Sequence, residues 1–168
     1  MRKSIRYILT CAAIVISATM TYGQEKRDEP RVEYIMELRV ELGEAYSVGT
    51  STHGMRHVIP IIGGTFEGEN IRGSIVAGGA DYQLIDNKLH RTELEAIYSI
   101  KTDDGTYIHV RNKGITCENV DGSTYFRTAP TFEAPNDSKY AWLNNAIYLC
   151  TCRGGFEGGI ILDIWRVK

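Results

Sequence analysis

The chain has 168 residues, 19 of them Lys or Arg and 21 Asp or Glu, which gives a formal net charge of −2 at pH 7. This balance offers no basic surface for following phosphates, so it argues against nucleic acid or an anionic membrane surface as a partner. The length suits one domain built around a single core.

The first 23 residues have the pattern of a secretory signal peptide. Three basic side chains come first, an apolar run covers 8–20, and small residues follow near Gly23. The run is shorter than the roughly 20 apolar residues of a membrane-spanning helix. We therefore predict cleavage after about residue 23 and export, periplasmic or secreted, with no membrane attachment of the mature chain. Removing the three basic residues brings the net charge to about −5.

The segment 24–31 is charged and is predicted to be a disordered lead-in. From residue 32, apolar and polar residues alternate over eleven positions, with Val32, Tyr34 and Met36 on one face and Ile35 out of step. A period of two predicts a half-buried strand.

Further runs typical of strands are separated by glycine- and aspartate-rich turns. They cover 55–66, 71–77, 80–86, 92–101, 106–112, 123–132, 145–153 and 157–167. The segment 137–145 is predicted to be a short helix that plugs or flanks one end. Short strands at near-regular spacing indicate an antiparallel sandwich or barrel.

Six short motifs follow one another along the chain. They are GMR at 54–56, GGTFEG at 63–68, GGADY at 78–82, DDG at 103–105, YFR at 125–127 and WLN at 142–144. Their order resembles the bacterial and fungal family known as domain of unknown function 3237, over about residues 32–168, with Tyr82 where that family usually has Trp. The resemblance implies a small β-barrel and implies no reaction. We therefore predict that 32–168 is an all-β domain, a single antiparallel β-barrel of about 8–10 strands with one short helix.

Asp81 stands where a packed strand would carry an apolar side chain. Asp81 and Gln83 share one strand face, so both lie inside if that face lines the lumen. A buried carboxylate costs several kcal/mol unless it is paired, hydrogen-bonded or protonated. Arg127, on the same face as Tyr125, is the predicted partner, and Arg56 is the second candidate.

We interpret Asp81 as a general acid or base, with Arg127 holding it or an oxyanion, and Tyr98 as the third catalytic residue. The predicted ligand-binding residues are Arg56, Tyr82, Gln83, His109, Tyr125, Trp142 and Asn144. Two alternatives stay open: the Asp81–Arg127 pair ties two strands together without chemistry, and His109 faces solvent.

Cys117, Cys150 and Cys152 remain after leader removal, so at least one thiol is unpaired. One disulfide from Cys117 to either of the others, or no disulfide, is favoured over a metal site because no second ligand pair has metal-binding spacing. We predict no metal and no cofactor.

The predicted function is binding of a small cyclic or phenolic molecule in the lumen, with cofactor-free lyase, isomerase or hydratase chemistry as a hypothesis. The alternatives are a non-catalytic ligand-binding module and a structural barrel with a filled lumen. Nothing in the sequence indicates the oligomeric state.

Overall fold

The computed structural model describes residues 27–168. The predicted leader, 1–23, and the beginning of the lead-in lie outside the described residues. Residues 27–31 are exposed and have no regular secondary structure. Within residues 27–168, no helix is long and apolar enough to cross a membrane.

The described part of the chain forms nine strands and one short 3-10 helix. In chain order they are β1 Val32–Leu42, β2 Tyr46–Ser51, β3 Gly54–Gly68, β4 Ile71–Asp86, β5 Arg91–Thr102, β6 Tyr107–Glu118, β7 Thr124–Glu133, the 3-10 helix Ala141–Asn145, β8 Tyr148–Phe156 and β9 Gly159–Val167.

The strands form a closed antiparallel barrel. Neighbours follow the order β1-β9-β8-β7-β6-β5-β4-β3-β2, and β1 also pairs with the second half of β3. This pairing closes a ring of eight strands and leaves β2 outside it, beside the first half of β3. The predicted all-β antiparallel barrel is confirmed, and the predicted helix is a single 3-10 turn, Ala141–Asn145, not a helix over 137–145.

Apolar side chains fill the half of the lumen in which β1 begins and β9 ends. The largest of the fully buried ones are Tyr148, Met36, Leu38, Ile100, Ile108, Leu143 and Ile164. The 3-10 helix contributes Leu143 to this filled half, and Asn144 anchors the helix through hydrogen bonds with the backbone N–H (2.8 Å) and C=O (2.9 Å) of Ala134. Burial of these side chains supplies the main stabilising free energy of the barrel.

β4 is continuous through Gly78 and Gly79, where the sequence analysis predicted a break between separate strands at 71–77 and 80–86. The register with β5 shifts between Val76 and Ala80, so the glycines form a bulge. A Cβ on Gly79 would lie 2.5 Å from the carbonyl oxygen of Ile97, which explains why that position is a glycine.

Two further differences concern the first strands. A register shift between Tyr34 and Met36 reverses the alternation at Ile35, so Val32 and Tyr34 are 52% and 47% exposed and do not share the buried face of Met36. β2 was not predicted, because its segment YSVGTS is polar and lacks an alternating apolar face.

Candidate functional site

The other half of the lumen contains a cavity of about 180 Å³, and each of the eight barrel strands contributes to its wall. The apolar wall consists mainly of Val40, Leu42, Ile59, Ile61, Leu94, Ile160 and Leu162. The polar groups on the wall are Asp81, Gln83, Tyr98, Asn112, Thr116 and Thr128, beside the thiol of Cys152. A concave, mostly apolar space with a few convergent polar groups is the usual form of a small-molecule site.

Asp81 lies on the lumen side of β4, together with Gln83. Gln83 Nε2 donates to Asp81 Oδ2 at 2.8 Å, and the backbone N–H of Glu95 donates to Oδ1 at 3.1 Å. Burial raises the pKa of Asp81 above its usual value, although both hydrogen bonds and the nearby His57 oppose that change. This carboxyl group therefore holds its proton more readily than an exposed aspartate does.

Tyr98 is only 3% exposed and borders the same cavity. Burial raises the pKa of its phenol well above the usual value. The hydroxyl therefore stays protonated over the physiological range, so it is able to donate a hydrogen bond but does not act as a base.

Arg127 is not a partner of Asp81, which corrects the predicted pair. Along β7 the inward side chains are Phe126 and Thr128, whereas Arg127 lies on the outer wall. Its guanidinium donates to the backbone carbonyl of Phe126 at 2.7 Å and stands 5.7 Å from the centre of the Tyr125 ring. Because successive residues in a strand point to opposite faces, Arg127 cannot reach the lumen that Phe126 enters.

Four of the predicted site residues line one groove on the outside of the barrel, which we call the outer groove: Arg56, Tyr82, Tyr125 and Arg127. Arg56 donates to the backbone carbonyls of Tyr82 (3.2 Å) and Gln83 (3.4 Å). The prediction that these side chains share the lumen with Asp81 is therefore wrong, since the barrel wall separates them from the cavity.

The remaining predicted residues also lie away from the cavity. His109 lies between the buried Ile108 and Val110 on β6 and points to the opposite, outward face. This agrees with the alternative that His109 faces outward. Trp142 and Asn144 belong to the 3-10 helix at the filled half of the barrel.

Asn112 is a site residue that the sequence analysis missed. It borders the cavity, is 4% exposed, and its Oδ1 has no hydrogen-bond partner within residues 27–168. A signal was available, because Asn112 continues the buried face of Ile108 and Val110, just as Asp81 interrupts an apolar face. His57 pairs with Gln83 across β3 and β4 and acts electrostatically on Asp81, but it is not among the residues that line the cavity.

Cys117, Cys150 and Cys152, the cysteines of the described chain, are free thiols. The Sγ atoms of Cys150 and Cys152 lie 3.8 Å apart, and Cys152 reaches the cavity wall beside Thr128. The hydrogen bond with Cys150, together with burial, raises the pKa of Cys152, so this thiol stays protonated.

The fold and the cavity together define a small closed antiparallel β-barrel with a partly polar lumenal cavity at one end. The family model for proteins of unknown function designated DUF3237 matches residues 30–167. The chain belongs to this family.

Known proteins with similar sequences and folds agree with that assignment. A UPF0311 protein of Rhodopseudomonas palustris is 37% identical over 149 residues, covering 80% of this chain and 95% of that protein. The crystal structure of a β-barrel-like protein from Acinetobacter baumannii has a TM-score of 0.77 at 28% identity, covering 86% of this chain and 100% of that one. An enzyme from Penicillium herquei has a TM-score of 0.68 at 23% identity, covering 85% and 98%, which shows a shared fold.

Proposed function

We propose that the protein binds a small cyclic or phenolic molecule in the lumen cavity and that Asp81 acts on it as a general acid or base without a cofactor. One observation carries this proposal. A desolvated carboxyl group faces a cavity with mostly aliphatic walls, and two hydrogen bonds hold it in place. Environments that raise a carboxyl pKa toward neutrality suit a group that must both accept and return a proton.

The reaction class follows from the two groups beside the cavity. Ionised Asp81 removes a proton from a carbon next to a carbonyl, and negative charge develops on the carbonyl oxygen as the enolate forms. The neutral hydroxyl of Tyr98 is a hydrogen-bond donor that stabilises such an oxyanion. The sequence analysis assigned this role to Arg127. Protonated Asp81 then returns the proton to a second carbon in an isomerisation, or to a leaving oxygen in an elimination.

The Penicillium herquei barrel is described as an enzyme, so this architecture accommodates catalysis in that protein. At 23% identity the likeness concerns the fold, and the case for catalysis in this chain rests on Asp81. Export also remains part of the proposal, on the strength of the leader pattern in residues 1–23.

A non-catalytic binding module is the second candidate. Its support is that each oxygen of Asp81 already accepts a hydrogen bond, from Gln83 and from the backbone of Glu95. A carboxyl group satisfied in this way also serves as a fixed recognition element. The opposite half of the lumen is filled with apolar side chains, so that half has a structural role. This supports the alternative of a structural barrel for that half alone.

Thermal-shift screening with one-ring phenols and cyclic ketones, followed by mass spectrometry of the same mixtures, tests the proposal. We expect stabilisation by at least one compound class, product formation by the wild type, and loss of product with retained binding in Asp81→Asn. Arg127→Ala, on the outer wall, is the matched control and is expected to bind and turn over normally. Binding without product in the wild type would leave the binding module, and a lumen that takes up none of these molecules would contradict both candidates.

A further inference from the structure

We infer that Asp81 and Asn112 are the two poles of one subsite, which selects a neutral one-ring molecule with a hydrogen-bond donor turned toward Asn112. This inference rests on the proposed lumen binding and adds the ligand's charge, size and orientation.

The register of three strands brings the two poles together. Asp81 pairs with Ala96 across β4 and β5, and Ala96 pairs with Asn112 across β5 and β6. Adjacent strands are about 4.8 Å apart, so the Cα atoms of Asp81 and Asn112 are separated by roughly 10 Å along one row of the barrel wall. Ala96 lies between them and, with its single methyl group, leaves the space above it open to the cavity.

Asp81 and Asn112 differ in their hydrogen-bond partners. At Asp81, both oxygens already accept hydrogen bonds, which fix the carboxyl group on the β4 side. At Asn112, Oδ1 is buried and has no partner within residues 27–168. A buried acceptor without a partner is costly, and a ligand that supplies a donor recovers that free energy on binding. The ligand's donor group is therefore directed to Asn112, and its opposite side faces Asp81.

The charges around the cavity select against ionised ligands. Among the described residues that line the cavity, none is Lys, Arg or His, and Asp81 is the one acidic side chain; His57, the basic group near Asp81, lies outside this lining. A carboxylate or phosphate would enter an apolar space without a counter-charge and would face Asp81. Neutral hydroxyl compounds meet neither penalty.

The size of the cavity matches a single ring. A cavity of about 150 Å³ in another protein binds benzene, and the present cavity measures about 180 Å³. Leu94 and Tyr98 flank Ala96 on the inward face of β5 and bound the space along the strand. One six-membered ring with small substituents fills the space over Ala96.

Calorimetric titration with four probes tests the inference: phenol, anisole, toluene and benzoate. We expect phenol to bind at least about tenfold more tightly than anisole, which accepts but does not donate, and than toluene, with no heat from benzoate. In Asn112→Leu, which has a similar shape and no amide, phenol and toluene are expected to bind within about twofold of each other. In Ala96→Leu, whose side chain occupies the space of the ring, all binding is expected to disappear while the far-UV spectrum is unchanged.

The outcomes separate the two levels of argument. Equal binding of phenol, anisole and toluene by the wild type, or an unchanged preference in Asn112→Leu, would overturn the role of Asn112 and leave lumen binding intact. Ring binding that survives in Ala96→Leu would overturn the location. If the wild type binds neither phenol nor toluene, the proposed function falls together with the inference.

Discussion

At Asp81, burial and hydrogen bonding act on the same carboxyl group in opposite directions. Burial raises its pKa, Gln83 and the Glu95 backbone lower it, and the net change is upward. The folded protein therefore binds more protons at this site than the unfolded chain does, in the pH window between the unfolded pKa and the raised folded pKa. Stability from this group falls as pH rises through that window and is constant above it.

Asp81→Asn removes this titration. We expect the free energy of unfolding of the variant, relative to wild type, to increase as pH rises from about 3.5 through the raised pKa of Asp81. Denaturant unfolding at a series of pH values measures the difference. A variant that loses stability relative to wild type as pH rises would show that the carboxylate is stabilised in the folded protein.

Asp121→Asn is a control with the opposite sign. The hydroxyl and backbone N–H of Ser123 lower the pKa of Asp121, so its contribution is present above the unfolded pKa and is lost as pH falls through the folded pKa. Relative to wild type, this variant is expected to become less stable as pH rises from the lowered folded pKa to the unfolded pKa of Asp121, a window that lies below the window of Asp81. Difference curves of the same sign for the two variants would contradict one of the two assignments.

At the scale of single elements, the bulge in β4 depends on two glycines for different reasons. Gly78 has a φ of +112°, a region that other L residues rarely adopt, but its missing Cβ would meet open space. Gly79 has no such φ, but a Cβ there would lie 2.5 Å from both the carbonyl oxygen of Ile97 and the Cβ of Tyr98. Gly79 therefore allows β4 to approach the strand that carries Tyr98.

Alanine substitution separates strain from collision. We expect Gly79→Ala to destabilise by about 2–3 kcal/mol through overpacking, and Gly78→Ala by about 1–2 kcal/mol through its backbone conformation. Gly154→Ala, in β8 with open space around the new Cβ, is the control and is expected to change stability by less than about 0.5 kcal/mol. Urea unfolding gives the three values, and a larger cost at Gly78 than at Gly79 would contradict the collision.

The junction of β7 and β8 is the weakly paired part of the barrel wall. Within the described strands, these two pair at Arg127 with Thr151 and Thr128 with Cys150, whereas β5 and β6 pair continuously from Arg91 to Lys101. Phe126 and Cys152, next to the paired positions, both border the cavity. This junction therefore gives the cavity a wall with few backbone hydrogen bonds on one side.

Hydrogen exchange should detect this difference. We expect backbone amides of 124–126 and 152–154 that face the junction to exchange at least about tenfold faster than amides of 94–98, because opening there breaks few hydrogen bonds. Residue-resolved exchange measured by NMR is the test. Equal protection of the two regions would mean that the junction is as well paired as the rest of the barrel.

On the scale of the whole molecule, the first and last strands lie side by side. The backbone N–H of Lys168 donates to the carbonyl of Arg31 at 2.8 Å, and β1 pairs with β9 over most of its length. The chain ends of the barrel are thus adjacent, and closure requires pairing of segments that are far apart in sequence. Such non-local pairing is typically slow to form and highly cooperative once formed.

A circular permutant tests this arrangement. Joining Lys168 to Arg31 with a short flexible linker and opening the chain between 121 and 122, in an exposed turn, preserves every strand of the barrel. We expect a cooperative thermal transition within about 8 °C of wild type. Loss of cooperative melting in the permutant would show that the order of strand synthesis, and not the closed barrel alone, determines folding.

Particular residues show how far a sequence can be interpreted. Alternation identified Asp81 and Gln83 as a polar pair on one strand face, and the same alternation would have identified Asn112. It could not decide between the faces of β7, because Tyr125 and Phe126 place an aromatic ring on each. The prediction chose the face of Tyr125 and so assigned Arg127 to the lumen, whereas the structure turns Phe126 inward.

The sequence by itself determined the class of fold, the approximate strands and turns, and the family, because side-chain alternation and turn glycines are local properties of the chain. The tertiary structure decided which faces meet inside, that Asp81, Ala96 and Asn112 form one row, and that half of the lumen stays open. The physical reason is that register and barrel closure depend on hydrogen bonds between residues distant in sequence, and a shift of one residue moves every side chain of a strand to the opposite side of the wall.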